Sequence, residues 1–129
     1  MSAPIGGDLP SHRLKVWQQN LDRSNNNQQD LLEKMGRDEY QFAALQEPYI
    51  GPGNKTRANS HWRVVYPTLH GEGQGSTRAV TLVNTAVPTD AWSQIPVPSK
   101  DVVVVELKGE FGTLRMVNIY NDGDHDDTL

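Results

Sequence analysis

The chain contains no cysteine. A disulfide framework and thiolate metal sites are thereby excluded, and the expected setting is intracellular, nuclear or cytoplasmic. Long apolar runs are missing as well. No stretch approaches the roughly 20 apolar residues that cross a bilayer, so a membrane is not an expected partner. The first residues, Met1-Ser2-Ala3-Pro4-Ile5-Gly6-Gly7-Asp8, lack the basic start and apolar run of a signal peptide, so secretion is not expected. Without that signal the glycosylation triplet Asn54-Lys55-Thr56 carries no weight. Positive charge is in deficit: 12 Lys and Arg stand against 16 Asp and Glu, a formal net charge of -4. No overall basic field draws in nucleic acid, and a binder of it must rely on a local patch. The apolar fraction of 36% is lean, but over 129 residues it suffices for the core of one domain.

What is present reads as an α/β (α+β) layout. Residues 1–12 form a loose, flexible leader, and 13–129 form one partial domain. Residues 14–19 are a first strand. Asn25 to Met35 is the one main helix, capped by Ser24, with Leu31, Leu32 and Met35 facing inward and Gly36 at its exit. Gln28-Gln29-Asp30 with Glu33-Lys34 reads as its wet face. Phe42 to Gln46 is the second strand, followed by a polar loop from Gly51 to Arg57. Trp62 to Tyr66 and Ala79 to Asn84 are the third and fourth strands, separated by the Gly-rich 71–75 stretch. That stretch does not open a helix, so it reads as a hairpin loop rather than a phosphate cradle. Pro88, Pro96 and Pro98 predict irregular chain. Val102 to Val105 is a β-branched strand, and Gly109-Glu110-Phe111-Gly112 turns it into a last strand from Leu114 to Tyr120.

Three segments end in polar residues of chemical interest. Asn20 closes the first strand, Glu47 follows the second and precedes Pro48, and Tyr120 closes the last. Strand ends that converge on one rim gather such groups over a ligand. A carboxylate at a strand end suits Mg²⁺ or Mn²⁺, ions that take oxygen donors and leave sites to water and substrate phosphate. The Asn20 amide suits a phosphate oxygen or an attacking water, and the Tyr120 hydroxyl suits a phosphate. Each residue alone is an ordinary strand end; the three in order are more than that.

The segments Leu45-Gln46-Glu47-Pro48-Tyr49-Ile50, Thr77-Arg78-Ala79-Val80 and Asn118-Ile119-Tyr120-Asn121-Asp122 resemble the endonuclease/exonuclease/phosphatase (DNase I-like) family. The closer likeness is to the N-terminal endonuclease domain of fungal LINE-type, non-LTR retrotransposon polyproteins. The resemblance runs from about Leu14 onward. It implies metal-assisted hydrolysis of a phosphodiester, with DNA as partner and Mg²⁺ or Mn²⁺ as cofactor. It implies Glu47 as the metal-binding glutamate and Asn20 as holder of the water or phosphate, also beside the metal. Tyr120 would contact the scissile phosphate, Asn118 would support the site by hydrogen bonding, and Asp22 falls where some relatives place a second metal-linked carboxylate. Arg78 is a candidate contact to the DNA backbone.

The sequence departs from that family in one large respect. Members carry a second half with an Asp-x-Asn motif and a terminal Ser-Asp-His, and neither motif is present. His125 has the wrong context to replace the histidine, and the acidic run Asp122 to Asp127 lacks the spacing and closing Glu of a calcium loop. The expectation is the N-terminal half of a two-sheet sandwich: one mixed sheet, one main helix, and a sheet face left open for a missing C-terminal half or a partner chain. Such a chain is expected to be inactive alone. Two other functions fit the same residues: a phosphoesterase acting on a small phosphorylated substrate, and a non-catalytic remnant that binds nucleic acid or a partner through the open face. Arg57, Lys55 and Arg63 read as solvated surface. Trp17, Trp62 and Trp92 read as packing. His12, His61 and His70 show no zinc spacing.

Overall fold

The computed structural model describes residues 14–35, 39–73 and 75–121. The leader, His12, Gly36, Gln74 and the acidic run after Asn121 lie outside them. The described elements are β1 (Val16–Asn20), α1 (Asn25–Lys34), β2 (Phe42–Gln46), β3 (Ile50–Gly51), β4 (Lys55–Thr56), β5 (Trp62–Val65), β6 (Ala79–Asn84), β7 (Trp92–Ile95), β8 (Val102–Gly109) and β9 (Gly112–Ile119).

The α+β expectation with one main helix is met, but the strands divide between two facing sheets. One has the order β1-β2-β6-β5, with β1 parallel to β2 and the rest antiparallel. The other is the antiparallel meander β7-β8-β9. β3 and β4 form a small separate ribbon inside the expected polar loop. The division follows from side-chain alternation along strands. Phe42, Ala79 and Val83 point from one face of the first sheet into a cluster with Val103, Val105 and Leu107 of β8. Ala43, Leu45, Val80 and Leu82 point from the opposite face into a second cluster with Leu21, Leu31 and Met35. β2 and β6 are therefore apolar on both faces, as strands buried between two layers must be. The alternate valines of β8 meet the first sheet, so that half of the run is covered rather than left open.

α1 begins where expected. Ser24 is extended, and its hydroxyl accepts from the Asn27 amide at 3.0 Å. Met35 caps the far end, donating its amide to Leu31 at 2.9 Å. Its wet face is narrower than the sequence suggests, because Gln28 is 0% exposed. Its side-chain amide donates to Thr56 Oγ1 at 2.7 Å and to the Arg57 carbonyl at 2.6 Å, and its oxygen accepts from the Tyr49 amide at 2.8 Å. A glutamine is needed there: the β3–β4 ribbon brings backbone groups over the helix, and buried backbone groups need partners. Gln28 shares a helix stripe with Leu31 and Met35, three and seven residues on.

The predicted irregular stretch contains β7, which lies between Pro88 and Pro96. It is an edge strand, where flanking prolines interrupt no central ladder. The opposite side of the sandwich is open. β1 and β9 each lack a neighbour on one edge. Among the described residues, the large apolar ones that remain exposed lie there or at the adjoining turn: Val16 at 45%, Leu114 at 47%, Val117 at 53% and Phe111 at 37%.

Candidate active site

Five strand boundaries meet on one rim. Asn20 ends β1, Glu47 follows β2, Arg78 precedes β6, Asp101 precedes β8 and Tyr120 follows β9. The register produces this meeting. Asn20 pairs with Gln46, Gln46 with Ala79, and Val102 with Ile119.

Backbone bonds continue past the strand ends and fix the rim. Leu21 donates to the Gln46 carbonyl at 2.9 Å and Arg23 to the Glu47 carbonyl at 2.8 Å. Glu47 in turn donates to the Arg78 carbonyl at 2.8 Å, and Tyr120 to that of Asp101 at 2.8 Å. Glu47 has φ +49°, with Asp22 at +53° and Arg23 at +58°. Side-chain-bearing residues in the left-handed region carry strain of about 1 kcal/mol or more, which persists where surroundings impose it. Here three fall on two adjoining loops.

The side chains close a circuit. Tyr120 Oη donates to Glu47 Oε1 at 2.9 Å. The Arg78 guanidinium lies 4.9 Å from the centre of the Tyr120 ring. Asp101 holds that guanidinium with two oxygens, at 2.9 and 2.8 Å. This twofold grip fixes the plane of the arginine as well as its position. Beneath the rim, Gln46 Nε2 donates to Asn118 Oδ1 at 2.6 Å, and Asn118 Nδ2 donates to the Val80 carbonyl at 2.8 Å. The Gln18 amide donates to Gln46 Oε1. A line of amides thus runs from the open edge to the buried Asn118, directly under the Glu47 and Tyr120 loops.

The sequence-predicted residues are sorted by this geometry. Glu47 and Tyr120 are in contact, Asn118 is buried and bonded below them, and Asn20 stands at the neighbouring strand end. Asn20 Oδ1 accepts from the Asp22 amide at 2.9 Å, which braces the loop. Asp22 is exposed on that loop. Arg78, read as a backbone contact for DNA, is engaged by Asp101 and Tyr120 and acts as a brace. Asp101, Gln46 and Arg23 were missed. Asp101 carries a legible signal, a lone carboxylate just before the valine run.

The donor set fits a hard divalent ion. Glu47 supplies a carboxylate whose second oxygen accepts no hydrogen bond among the described residues, and Asn20 ends the adjacent strand. One or two protein oxygens with water and phosphate make up the usual Mg²⁺ shell. Among the described residues no group of three or more His, Asp or Glu gathers into an all-protein cage.

The chain is similar in fold to the endonuclease domain of TRAS1, a telomere-specific non-LTR retrotransposon, with a TM-score of 0.64 and 23% identity. The likeness covers 87% of this chain and 48% of that one. No protein-family model and no curated protein matches the sequence. The two share a fold, and this chain spans about half the length of that neighbour. No helix among the described residues is long and apolar enough to cross a membrane.

Proposed function

We propose that this chain supplies the metal-holding half of a DNA endonuclease site of the retrotransposon kind. The observation that carries the reading is the Tyr120–Glu47 hydrogen bond, which joins two predicted site residues 73 positions apart on one strained rim. The fold of the TRAS1 endonuclease domain supports it. Mg²⁺ or Mn²⁺, when bound, supplies Lewis acidity toward the scissile phosphate and offsets its growing charge. Glu47 holds the ion, and Tyr120 fixes the carboxylate that does so. Asn20 orients water or a phosphate oxygen from the next strand end. Asn118 and Gln46 keep both loops in place from below. The base and the remaining phosphate donors belong to further polypeptide seated along β1 and β9, where both sheets lack a neighbour.

The test is Mg²⁺-dependent nicking of supercoiled plasmid, with Glu47→Ala in parallel. The 129-residue chain alone is expected to leave the plasmid uncut while binding Mn²⁺ in a manner lost in Glu47→Ala. Nicking by the chain alone, lost in the variant, would show that the site needs no further polypeptide. Mn²⁺ binding unchanged in the variant would remove the metal role from Glu47. A second reading, a non-catalytic module that docks a partner, is favoured by Val16, Leu114 and Val117 exposed along the same open side. It is the reading left if Mn²⁺ does not bind.

A further inference from the structure

His70 is not among the rim residues, yet both nitrogens of its ring are engaged. Nε2 lies 2.7 Å from the Asn54 carbonyl, which can only accept, so Nε2 carries a proton. Nδ1 lies 2.6 Å from Thr77 Oγ1. Thr77 is 4% exposed, and its hydroxyl has no other partner among the described residues, so its proton goes to Nδ1. From this arrangement we infer that His70 is a positioning residue for Glu47, an imidazole that clamps together the two chain segments meeting at that carboxylate. The inference deepens the proposed function and rests on it.

Two observations carry it. The first is a closed circuit. On one side Thr77 precedes Arg78, whose carbonyl accepts from the Glu47 amide at 2.8 Å. On the other side Asn54 leads into β4, where the Thr56 hydroxyl donates to the Tyr49 carbonyl at 2.6 Å, two residues past Glu47. The imidazole joins these two paths. Glu47 at φ +49° and Asn54 at φ +60° both lie in the circuit, and both are left-handed without being glycine. Such backbone persists where its surroundings over-determine it, and a bridge between the two segments does that. The second is how the ring itself is held. It stacks on Tyr66, with ring centres 4.0 Å apart and planes inclined by 24°. The Tyr66 hydroxyl in turn accepts from the Thr56 amide at 3.0 Å, so the stacking partner is tied to the same ribbon. One rigid plane therefore turns a donor toward Asn54 and an acceptor toward Thr77, a pairing that imidazole with its proton on Nε2 provides.

The experiment is amide hydrogen exchange followed by NMR on the full chain, paired with Mn²⁺ titration followed by electron paramagnetic resonance. His70→Phe keeps a flat ring on Tyr66 and removes both hydrogen bonds. Exchange of the Glu47 amide is expected to quicken roughly tenfold, in line with the loss of about one hydrogen bond. Exchange of the Val83 amide in β6 is expected to stay at the wild-type rate, which shows that the fold is kept. Mn²⁺ affinity is expected to fall about tenfold, the low end of the range for groups that orient a metal ligand. His70→Asn keeps an acceptor for Thr77 and is expected to recover part of both losses. Leu107→Ala loosens the core without touching the circuit and is expected to leave Mn²⁺ affinity unchanged. Wild-type exchange at Glu47 in His70→Phe, or a loss of Mn²⁺ affinity matched by Leu107→Ala, overturns the role of His70. A wild-type chain that binds no Mn²⁺, or a Glu47→Ala chain that binds it equally well, overturns the metal reading of the site instead. The Glu47 exchange rate in His70→Phe then decides the clamp by itself.

Discussion

The Tyr120 hydroxyl donates to the Glu47 carboxylate across 2.9 Å, joining the end of β9 to the end of β2 and so one sheet to the other. It engages Glu47 Oε1, while the second oxygen accepts no hydrogen bond among the described residues. Tyr120→Phe removes only this hydroxyl. Loss of a group that orients a metal ligand typically costs 10–100-fold in metal affinity. Mn²⁺ titration followed by electron paramagnetic resonance is expected to show a loss of about tenfold, with little change in melting temperature. Unchanged affinity would mean that the phenol serves only to close the sandwich.

Arg78 and Asp101 lie one step behind that contact. The pair is partly exposed, with 31% and 17% of the side chains accessible, so its own contribution to stability is about 1 kcal/mol. Its larger effect is on the Tyr120 ring, which the guanidinium covers. Asp101→Asn loses the charge and half of the twofold grip. Urea unfolding is expected to show about 1 kcal/mol of destabilisation. Mn²⁺ affinity is expected to fall in the same direction as in Tyr120→Phe, and the double variant to fall little further than Tyr120→Phe alone. A full independent loss from each would separate the arginine from the site.

Asn118 is nearly fully buried, and its amide serves both sheets at once. Asn118→Ala strands Gln46 Nε2, whose partner is Asn118 Oδ1, away from water. A buried unsatisfied group costs about 1–3 kcal/mol. The expected destabilisation is about 3 kcal/mol by urea unfolding, larger than that of Leu114→Ala on the same strand, where the side chain is half exposed. A change below about 1 kcal/mol would show that the two sheets can slide to fill the gap.

Much of this arrangement was legible in the residues. Phe42–Gln46 and Ala79–Asn84 were read at their observed bounds, because each is a largely apolar run closed by a polar residue, interrupted only by Thr81 in the second. That the strand ends bearing Asn20, Glu47 and Tyr120 share one rim was legible for the same reason. The split into two sheets was not. It depends on which face of Val102 to Val105 meets which face of Phe42 to Gln46, and a strand apolar on both faces carries no mark of its partner. Gln28 was misread because a polar residue on a helix reads as solvated unless the loop that covers it is known. The tie between Arg78 and Asp101 was not legible either, because the two lie 23 residues apart and on different sheets.

Gln28 also yields a pH-dependent prediction. In Gln28→Glu the carboxyl would face the Thr56 hydroxyl and the Arg57 carbonyl, where the native amide donates. Burial with a single backbone donor, the Tyr49 amide, and the Arg57 carbonyl facing it pushes a carboxyl upward in pKa. The folded variant then holds a proton that the unfolded chain releases above about pH 4.3. Its deficit relative to wild type is small below that pH, where both states are protonated, and grows as the pH rises toward the folded value. Urea unfolding at pH 4 and pH 7 is expected to show the larger deficit at pH 7. Equal deficits would mean that the helix swings out and solvates the carboxylate.

The open side of the sandwich makes the last prediction. β9 offers eight residues of unpaired edge, with Leu114 and Val117 about half exposed, and β1 offers a second edge beside it with Val16. Unpaired edges bearing apolar side chains pair with other chains unless charge or proline blocks them. The one ion pair on β9, Arg115 with Glu106 at 3.0 Å, lies across to β8 and guards only one end. The chain by itself is therefore expected to self-associate through this side. Val117→Lys sets a charge in the middle of the β9 surface, pointing away from the core cluster, and leaves the fold intact. Sedimentation velocity across a concentration series is expected to show a larger species for the wild type that Val117→Lys reduces to monomer. A wild-type chain that remains monomeric would mean that these edges are too twisted to pair, and the partner role would then pass to the face formed by Ile95, Val104 and Val117.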